Sequence, residues 1–202
     1  MTRLDDGLWL AAACCVAAIA MLGYRVARGA TPWVDGCEPH LFGRMTPVAA
    51  LFTKSGYARN IAAVSLLAVI VAIVQHMLLP VTIVILVQVL SQLAVVAIKD
   101  AVRRRRPAEW RFRQEPGTSY PSGHATTAVA FYGGWLFLIA VSGMPAVPKD
   151  AALVLLALWI AGICWSRVAL GAHHPSDVLA GALVGAAFLS AELTLLDRIR
   201  IP

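Results

Sequence analysis

Charged residues are confined to a few short stretches of this chain, and long uncharged blocks run between them. Residues 7–24 are 18 uncharged positions, after Asp5 and Asp6 and before Arg25. Residues 60–98 form a second block of 39 positions, about twice the roughly 20 residues that one membrane-crossing helix needs. Pro80 falls near its middle, where a chain can turn, so the block predicts two helices, 61–77 and 81–98, joined by a tight hairpin. Residues 124–141 and 151–168 follow, and 178–196 is interrupted only by Glu192. The first block has a short charged start, as a secretory signal does. It is nevertheless as long as a span and lacks a clean small-x-small cleavage site, so it predicts a retained helix. No repeat, low-complexity tract or linker divides the chain. The pattern predicts one six-helix domain over residues 1–202.

Composition sharpens this into a class. Apolar residues make up 59% of the 202, about 119 positions, against roughly 45–50% in soluble domains. Six spans of about 20 residues need a similar number. Charged residues are only 14%, and the mean hydropathy is +0.74. A soluble globule, a disordered chain, a collagen-like fibre and a disulfide-built scaffold are all excluded. The four cysteines, Cys14, Cys15, Cys37 and Cys164, show no metal-site spacing and no obvious disulfide pair. The fold class is all-α, a polytopic membrane protein with six transmembrane helices.

Within the spans, His76, Gln88, Ser91 and Gln92 read as helix–helix hydrogen-bonding groups. Gly181 and Gly185, four apart, predict a close helix approach. Two connections are long. Residues 26–59 include an apolar patch at 48–52, read as an interfacial or re-entrant piece, and 99–123 carry a dense basic cluster.

Alternate connections of six spans fall on opposite membrane faces. Lys99 and Arg106 after the third span, Ser122 and His124 opening the fourth, Arg167 ending the fifth, and His173 and Asp177 opening the sixth therefore converge on one face. Ionisable groups at a membrane boundary are costly unless solvated or paired, so this convergence points to a site. Lys99 and Arg106 are seven apart, two helical turns, which predicts one helix side for both, with Pro107 ending it. Three cations suit a multiply charged oxyanion such as phosphate. Pro121-Ser122-Gly123-His124 reads as a helix start whose backbone N–H groups favour an anion, with Gly123 allowing close approach. His173 and Asp177 are four apart on the helix that Pro175 begins, and a carboxylate beside an imidazole fixes its tautomer and raises its basicity. Two histidines then divide nucleophile and acid between them. Asp100 and Glu109 stand isolated in the basic loop, so no carboxylate cluster is arranged to hold magnesium or zinc. The chemistry that fits is metal-free phosphoryl transfer.

Lys99-x6-Arg106-Pro107, Pro121-Ser122-Gly123-His124 and Ser166-Arg167-x5-His173-x3-Asp177 resemble the three signatures of the type-2 phosphatidic acid phosphatase family. These membrane lipid phosphate phosphatases are related to vanadium haloperoxidases and glucose-6-phosphatase. The resemblance covers roughly residues 61–196. It implies that His173 is the nucleophile, forming a phosphohistidine, that Asp177 orients it, and that His124 is the general acid. It implies that Lys99, Arg106, Ser122, Gly123 and Arg167 hold the phosphoryl oxygens, with no metal and no cofactor. His174, the rival nucleophile, lacks the x3 spacing to an aspartate and precedes Pro175 at the helix cap. Undecaprenyl diphosphate is the leading implied substrate, ahead of phosphatidylglycerol phosphate, phosphatidic acid and lipid A. A lipid phosphotransferase, and a non-catalytic transporter or scaffold, are the alternatives of other classes.

The implied partners are the lipid substrate and membrane lipids, with no nucleic acid, and the sequence leaves the oligomeric state open. The run Arg103–Arg105 reads as solvated or headgroup-facing, each cation drawn to anionic lipid by ~1 kcal/mol. Trp110 and Phe112 read as interfacial aromatics, and His40 as structural. The terminal face carries four of the 17 Lys and Arg and the site face thirteen, which by the positive-inside tendency places the site in the cytoplasm. The resemblance implies instead a bacterial inner-membrane protein with the site facing the periplasm, the basic loop being basic for its substrate.

Overall fold

The computed structural model describes residues 3–37, 46–108 and 115–199. Seven helices are described: α1 (Arg3–Ala27), α2 (Thr46–Ser55), α3 (Ala58–Val74), α4 (Leu78–Val102), α5 (Gly123–Val141), α6 (Ala146–Ala169) and α7 (Pro175–Asp197). A 3-10 turn, Trp33–Cys37, follows α1. Five of the helices are long and apolar enough to cross a membrane, and the pair α2–α3, bent by 52° at its break, supplies a sixth when taken as one span. The apolar patch at 48–52 belongs to α2, which packs along α6 with Phe52 edge-on to Trp159 and Trp165.

The all-helical membrane plan holds with five or six spans, the predicted second span reaching that length only when α3 is taken together with α2. Pro80 does not mark the hairpin. It sits in the first turn of α4, where the lack of an N–H costs nothing, and the reversal is made at residues 75–77, with His76 at φ 56°. His76 is exposed there. Ser91 bonds the Gln88 carbonyl of its own helix. The two glutamines do cross from α4 to α5: Gln88 Nε2 donates to Thr127 Oγ1 at 2.8 Å, and Gln92 Nε2 to the same oxygen at 3.2 Å and to the Gly123 carbonyl at 3.3 Å.

Burial is inverted relative to a soluble protein. Leu66, Leu67, Leu93, Leu155 and Leu158 are exposed on the outside, while Ser166, Arg167, His173, Asp177 and Glu192 are buried. Lipid replaces water as the apolar solvent, so close packing and interhelical hydrogen bonds hold the array together. α5 and α7 form its centre. A side chain at Gly181 or Gly185 would overlap the Ser122 or Thr126 carbonyl of α5, so the predicted close approach is made. Thr126 Oγ1 also donates across this seam to the Gly181 carbonyl at 3.0 Å. The seam brings the starts of α5 and α7 together, and the Ser122 amide donates to the Asp177 carbonyl at 2.9 Å.

Candidate active site

The site is built at one end of the array, where the ends of α4 and α6 meet the starts of α5 and α7. Its geometry begins with the end of α6. Gly171, at φ 68°, donates to the Val168 carbonyl, and Ala172 donates to that of Arg167, the two bonds of a Schellman cap. That cap folds the chain back so that the His173 amide also donates to the Arg167 carbonyl at 3.1 Å. Pro175 then opens α7 with His174 as its N-cap, so His173 precedes the helix and does not lie on its face. Asp177 is the third helical residue. One of its oxygens, Oδ2, accepts the His174 amide at 2.9 Å and lies 3.6 Å from His173 Nδ1.

Burial drives the His173 pKa down to about 3, with Asp177 pulling it upward and Arg167 and Arg106 pushing it down again. The ring is therefore a neutral imidazole at physiological pH. Its Nε2 is 3.3 Å from Arg106 Nη1, which also donates to the Ala172 carbonyl at 2.9 Å. With Asp177 on the Nδ1 side and the Arg106 donor on the other, the tautomer that fits carries its proton on Nδ1 and a lone pair on Nε2.

Lys99 and Arg106 reach the site by a different route from the predicted one. α4 ends at Val102, and Arg103 caps it in the left-handed region at φ 52°. Residues 103–107 leave the helix, so a returning loop, not helical spacing, brings Arg106 beside Lys99. The loop is tied down by Lys99 Nζ donating to the Thr118 carbonyl at 2.6 Å, and by Ser119 donating to the Arg104 carbonyl from its amide at 2.8 Å. Arg167 is fully buried and donates to Thr53 of α2 and to both oxygens of Glu115, at 3.0 and 2.9 Å. Glu115 also lies 3.7 Å from Arg106. Two guanidiniums thus share one carboxylate, Arg167 reaching both of its oxygens from the single nitrogen Nη2.

Ser122 is buried as the N-cap of α5 and accepts from the Ala125 amide at 3.4 Å. The room left by Gly123 is taken by Gln92 Oε1, 3.1 Å from where a Cβ would stand, so the missing side chain serves the α4–α5 approach. His124 packs edge-on against Tyr57, with ring centroids 5.1 Å apart, and its Nε2 is buried with no hydrogen-bond partner among the described residues. Gly56 lies against the same ring. Gly56 also lines a cavity of about 570 Å³ between α3 and α4, with Ile61, Gln88, Gln92 and Thr127.

Of the triple-arginine run, Arg103 and Arg105 are exposed as expected, but Arg104 is not. It turns inward and pairs with Asp177 at 2.7 Å and with Asp35 of the 3-10 turn at 2.8 Å. Burial works to lower the Arg104 pKa, yet the two aspartates outweigh it and raise it. For Arg106 burial prevails over Glu115 and Asp177, and its pKa falls. Asp35, Thr53, Arg104 and Glu115 carry no motif spacing, and only tertiary structure brings them to the site. Glu109, Trp110, Phe112 and His40 lie outside the described residues.

The profile of the PAP2 superfamily matches residues 80–200. The chain is 34% identical over 111 residues to the lipid A 1-phosphatase of Rhizobium johnstonii, covering 50% of this chain and 41% of that protein. It is 37% identical over 96 residues to the decaprenylphosphoryl-5-phosphoribose phosphatase of Mycolicibacterium smegmatis, covering 46% and 47%. With phosphatidylglycerophosphatase B of Escherichia coli the identity is 30% over 88 residues, covering 44% and 33%. The chain thus spans less than half the length of these curated relatives. Its fold resembles that in the crystal structure of a transmembrane PAP2-type phosphatidylglycerolphosphate phosphatase from Bacillus subtilis, with a TM-score of 0.70 at 19% identity over 98% of this chain and 96% of that one. With all three motifs gathered at one end of a helical membrane array and the profile running through them, the chain belongs to the PAP2 superfamily.

Proposed function

We propose that this chain hydrolyses a lipid phosphate or diphosphate through a phosphohistidine, without a metal. The observation that carries the reading is a buried His173 backed by Asp177 and facing Arg106, with Arg167 and Lys99 converging on the same end. His173 Nε2 attacks phosphorus and forms the P–N bond as the P–O bond to the leaving group breaks. His124 gives its proton to the departing oxygen. It then takes one from water, whose oxygen attacks the phosphohistidine, breaks the P–N bond and releases inorganic phosphate. Lys99, Arg106 and Arg167, with the α5 start at Ser122 and Gly123, offset the charge that develops on the phosphoryl oxygens.

The largely apolar cavity lined by Gly56, which itself lies against His124, supports a lipid as the carrier of that phosphate. Undecaprenyl diphosphate is the leading candidate. Lipid A and phosphatidylglycerol phosphate, the latter named in the fold neighbour, are the competitors. The proposed setting is a bacterial inner membrane with the site facing the periplasm, where a diphosphate headgroup would meet the basic loop. The test is phosphate release by purified protein in detergent with excess EDTA, with the candidate lipids offered in parallel. EDTA-resistant release that is lost in His173→Ala is expected. Release that survives that substitution overturns the assignment of the nucleophile.

A further inference from the structure

Behind Asp177 lies a buried charge network outside the proposed phosphate-binding set. Arg104 Nη1 donates to Asp177 Oδ1 and to Ser176 Oγ, each at 2.7 Å, and Nη2 donates to Asp35 Oδ2 at 2.8 Å. Asp35 returns to the same helix start, where its Oδ1 accepts the Ser176 amide at 2.8 Å and its Oδ2 the Ser176 hydroxyl at 3.0 Å. The side chains of Asp35, Arg104 and Asp177 are 3%, 14% and 0% exposed.

Each contact has a consequence for the nucleophile. A carboxylate buried this deeply needs a compensating cation, and Arg104 supplies it. Asp177 is also held at both oxygens, Oδ1 by Arg104 and Oδ2 by the His174 amide, so the carboxylate cannot swing. Its remaining Oδ2 lone pair is thereby kept toward His173 Nδ1. Asp35 does for Arg104 what Arg104 does for Asp177: it fixes the guanidinium plane while tying down the first turn of α7.

We propose that Asp35 and Arg104 are positioning residues of the reaction, acting through Asp177 on His173. The inference rests on the phosphohistidine reading above. It also extends the working site beyond the family match, since Asp35 precedes residues 80–200.

The test compares full-length Arg104→Gln, Arg104→Lys, Asp35→Asn and the double variant Asp35→Asn/Arg104→Gln, on the lipid phosphate that the wild type hydrolyses fastest. Misplacing a catalytic group costs turnover, not ground-state binding. Arg104→Gln is therefore expected to lower kcat roughly 100-fold with KM held within about threefold. Arg104→Lys recovers part of the loss. Asp35→Asn loses about tenfold, and the double variant is no worse than Arg104→Gln, because both act through one chain of contacts. Histidine-selective ¹⁵N NMR, with His173 assigned by His173→Gln, gives a readout independent of turnover. The wild type shows His173 as one Nδ1–H tautomer, and Arg104→Gln shows a mixture.

A KM raised tenfold with kcat intact would make Arg104 a phosphate ligand and overturn the proposal. So would independent, additive losses in the double variant, or an unchanged tautomer in Arg104→Gln. Should Arg104→Gln fail to fold, Arg104→Lys and Asp35→Asn decide the matter by the same kcat and KM pattern. If the wild type releases phosphate from no lipid, the phosphatase reading fails, and the tautomer comparison still decides the positioning.

Discussion

Asp177 stands 3.6 Å from His173 Nδ1 through the same oxygen that caps the His174 amide at 2.9 Å. This carboxylate is therefore part of a helix N-terminus, where the unpaired amides and the helix dipole favour its negative charge. Asp177→Asn nearly preserves the shape and keeps an oxygen for the cap. It removes the charge, and with that oxygen kept at the cap its NH₂ group takes the place of Oδ1, donor against the Arg104 donor, so the carboxyl position is no longer held. Turnover is expected to fall about 10⁴-fold, as when a histidine's orienting acid is neutralised. Circular dichroism and the detergent melting curve should stay close to wild type. Loss of the helical signal alongside activity would assign Asp177 a structural role instead.

Burial of His173 also sets a pH dependence of stability. An unfolded histidine titrates near 6.5, and the folded one near 3. Above about pH 6.5 both states are neutral at this residue, and it adds no slope. As pH falls below that, the unfolded chain takes up a proton that the folded chain refuses. Stability is then lost at about 1.4 kcal/mol per pH unit until the folded pKa is reached. Thermal melts of wild type and His173→Gln between pH 7 and 4.5 should diverge, with the wild type falling more steeply. Parallel lines would show that His173 is not held neutral.

Glu115 occupies both Nη2 contacts of Arg167 and approaches Arg106, so an incoming oxyanion has to displace it. The pair is largely buried, with Arg167 at 0% and Glu115 at 18% side-chain exposure, so carboxylate and oxyanion compete for the same guanidinium away from water. Glu115→Gln should therefore tighten inhibition by inorganic phosphate roughly fivefold. The measurement is the phosphate Ki at fixed ionic strength. Weakened inhibition would show that Glu115 holds Arg167 ready for the ligand and does not compete with it.

The sequence disclosed the spans because a membrane helix writes its length directly into a charge-free block. It disclosed the three motif clusters because loop connectivity alone forces alternate helix ends onto one face. The errors have local physical causes. The Lys99 to Arg106 interval has the helical period, yet Arg103 takes a left-handed cap and a loop completes the interval. His173 and Asp177 have the period of a helix face, yet Pro175 starts the helix between them. Arg104 looked like one of three solvated cations because nothing in the run itself distinguishes it. Its partner, Asp35, lies 69 positions away.

Glu192, the one charge that interrupts the last span, is a packing element. Both carboxyl oxygens are buried with no hydrogen-bond partner among the described residues, and the carboxyl group fills the space beside Gly134 of α5. At about 1.5 Å per residue it lies roughly 22 Å along α7 from Asp177, so it takes no part in the chemistry at the helix start. A polar group buried without a partner is a net cost, while the volume it fills is needed. Gly134→Ala should thus destabilise the fold by about 1–3 kcal/mol, since the added methyl meets the carboxyl. Glu192→Ala opens that room at the price of a small cavity. The double variant Gly134→Ala/Glu192→Ala is expected to be more stable than the sum of the single effects allows, by about 0.5–3 kcal/mol of coupling. Melting curves of the four proteins in one detergent give the cycle. Turnover should be unchanged in each folded variant, and additive losses would mean that the two residues do not share the space.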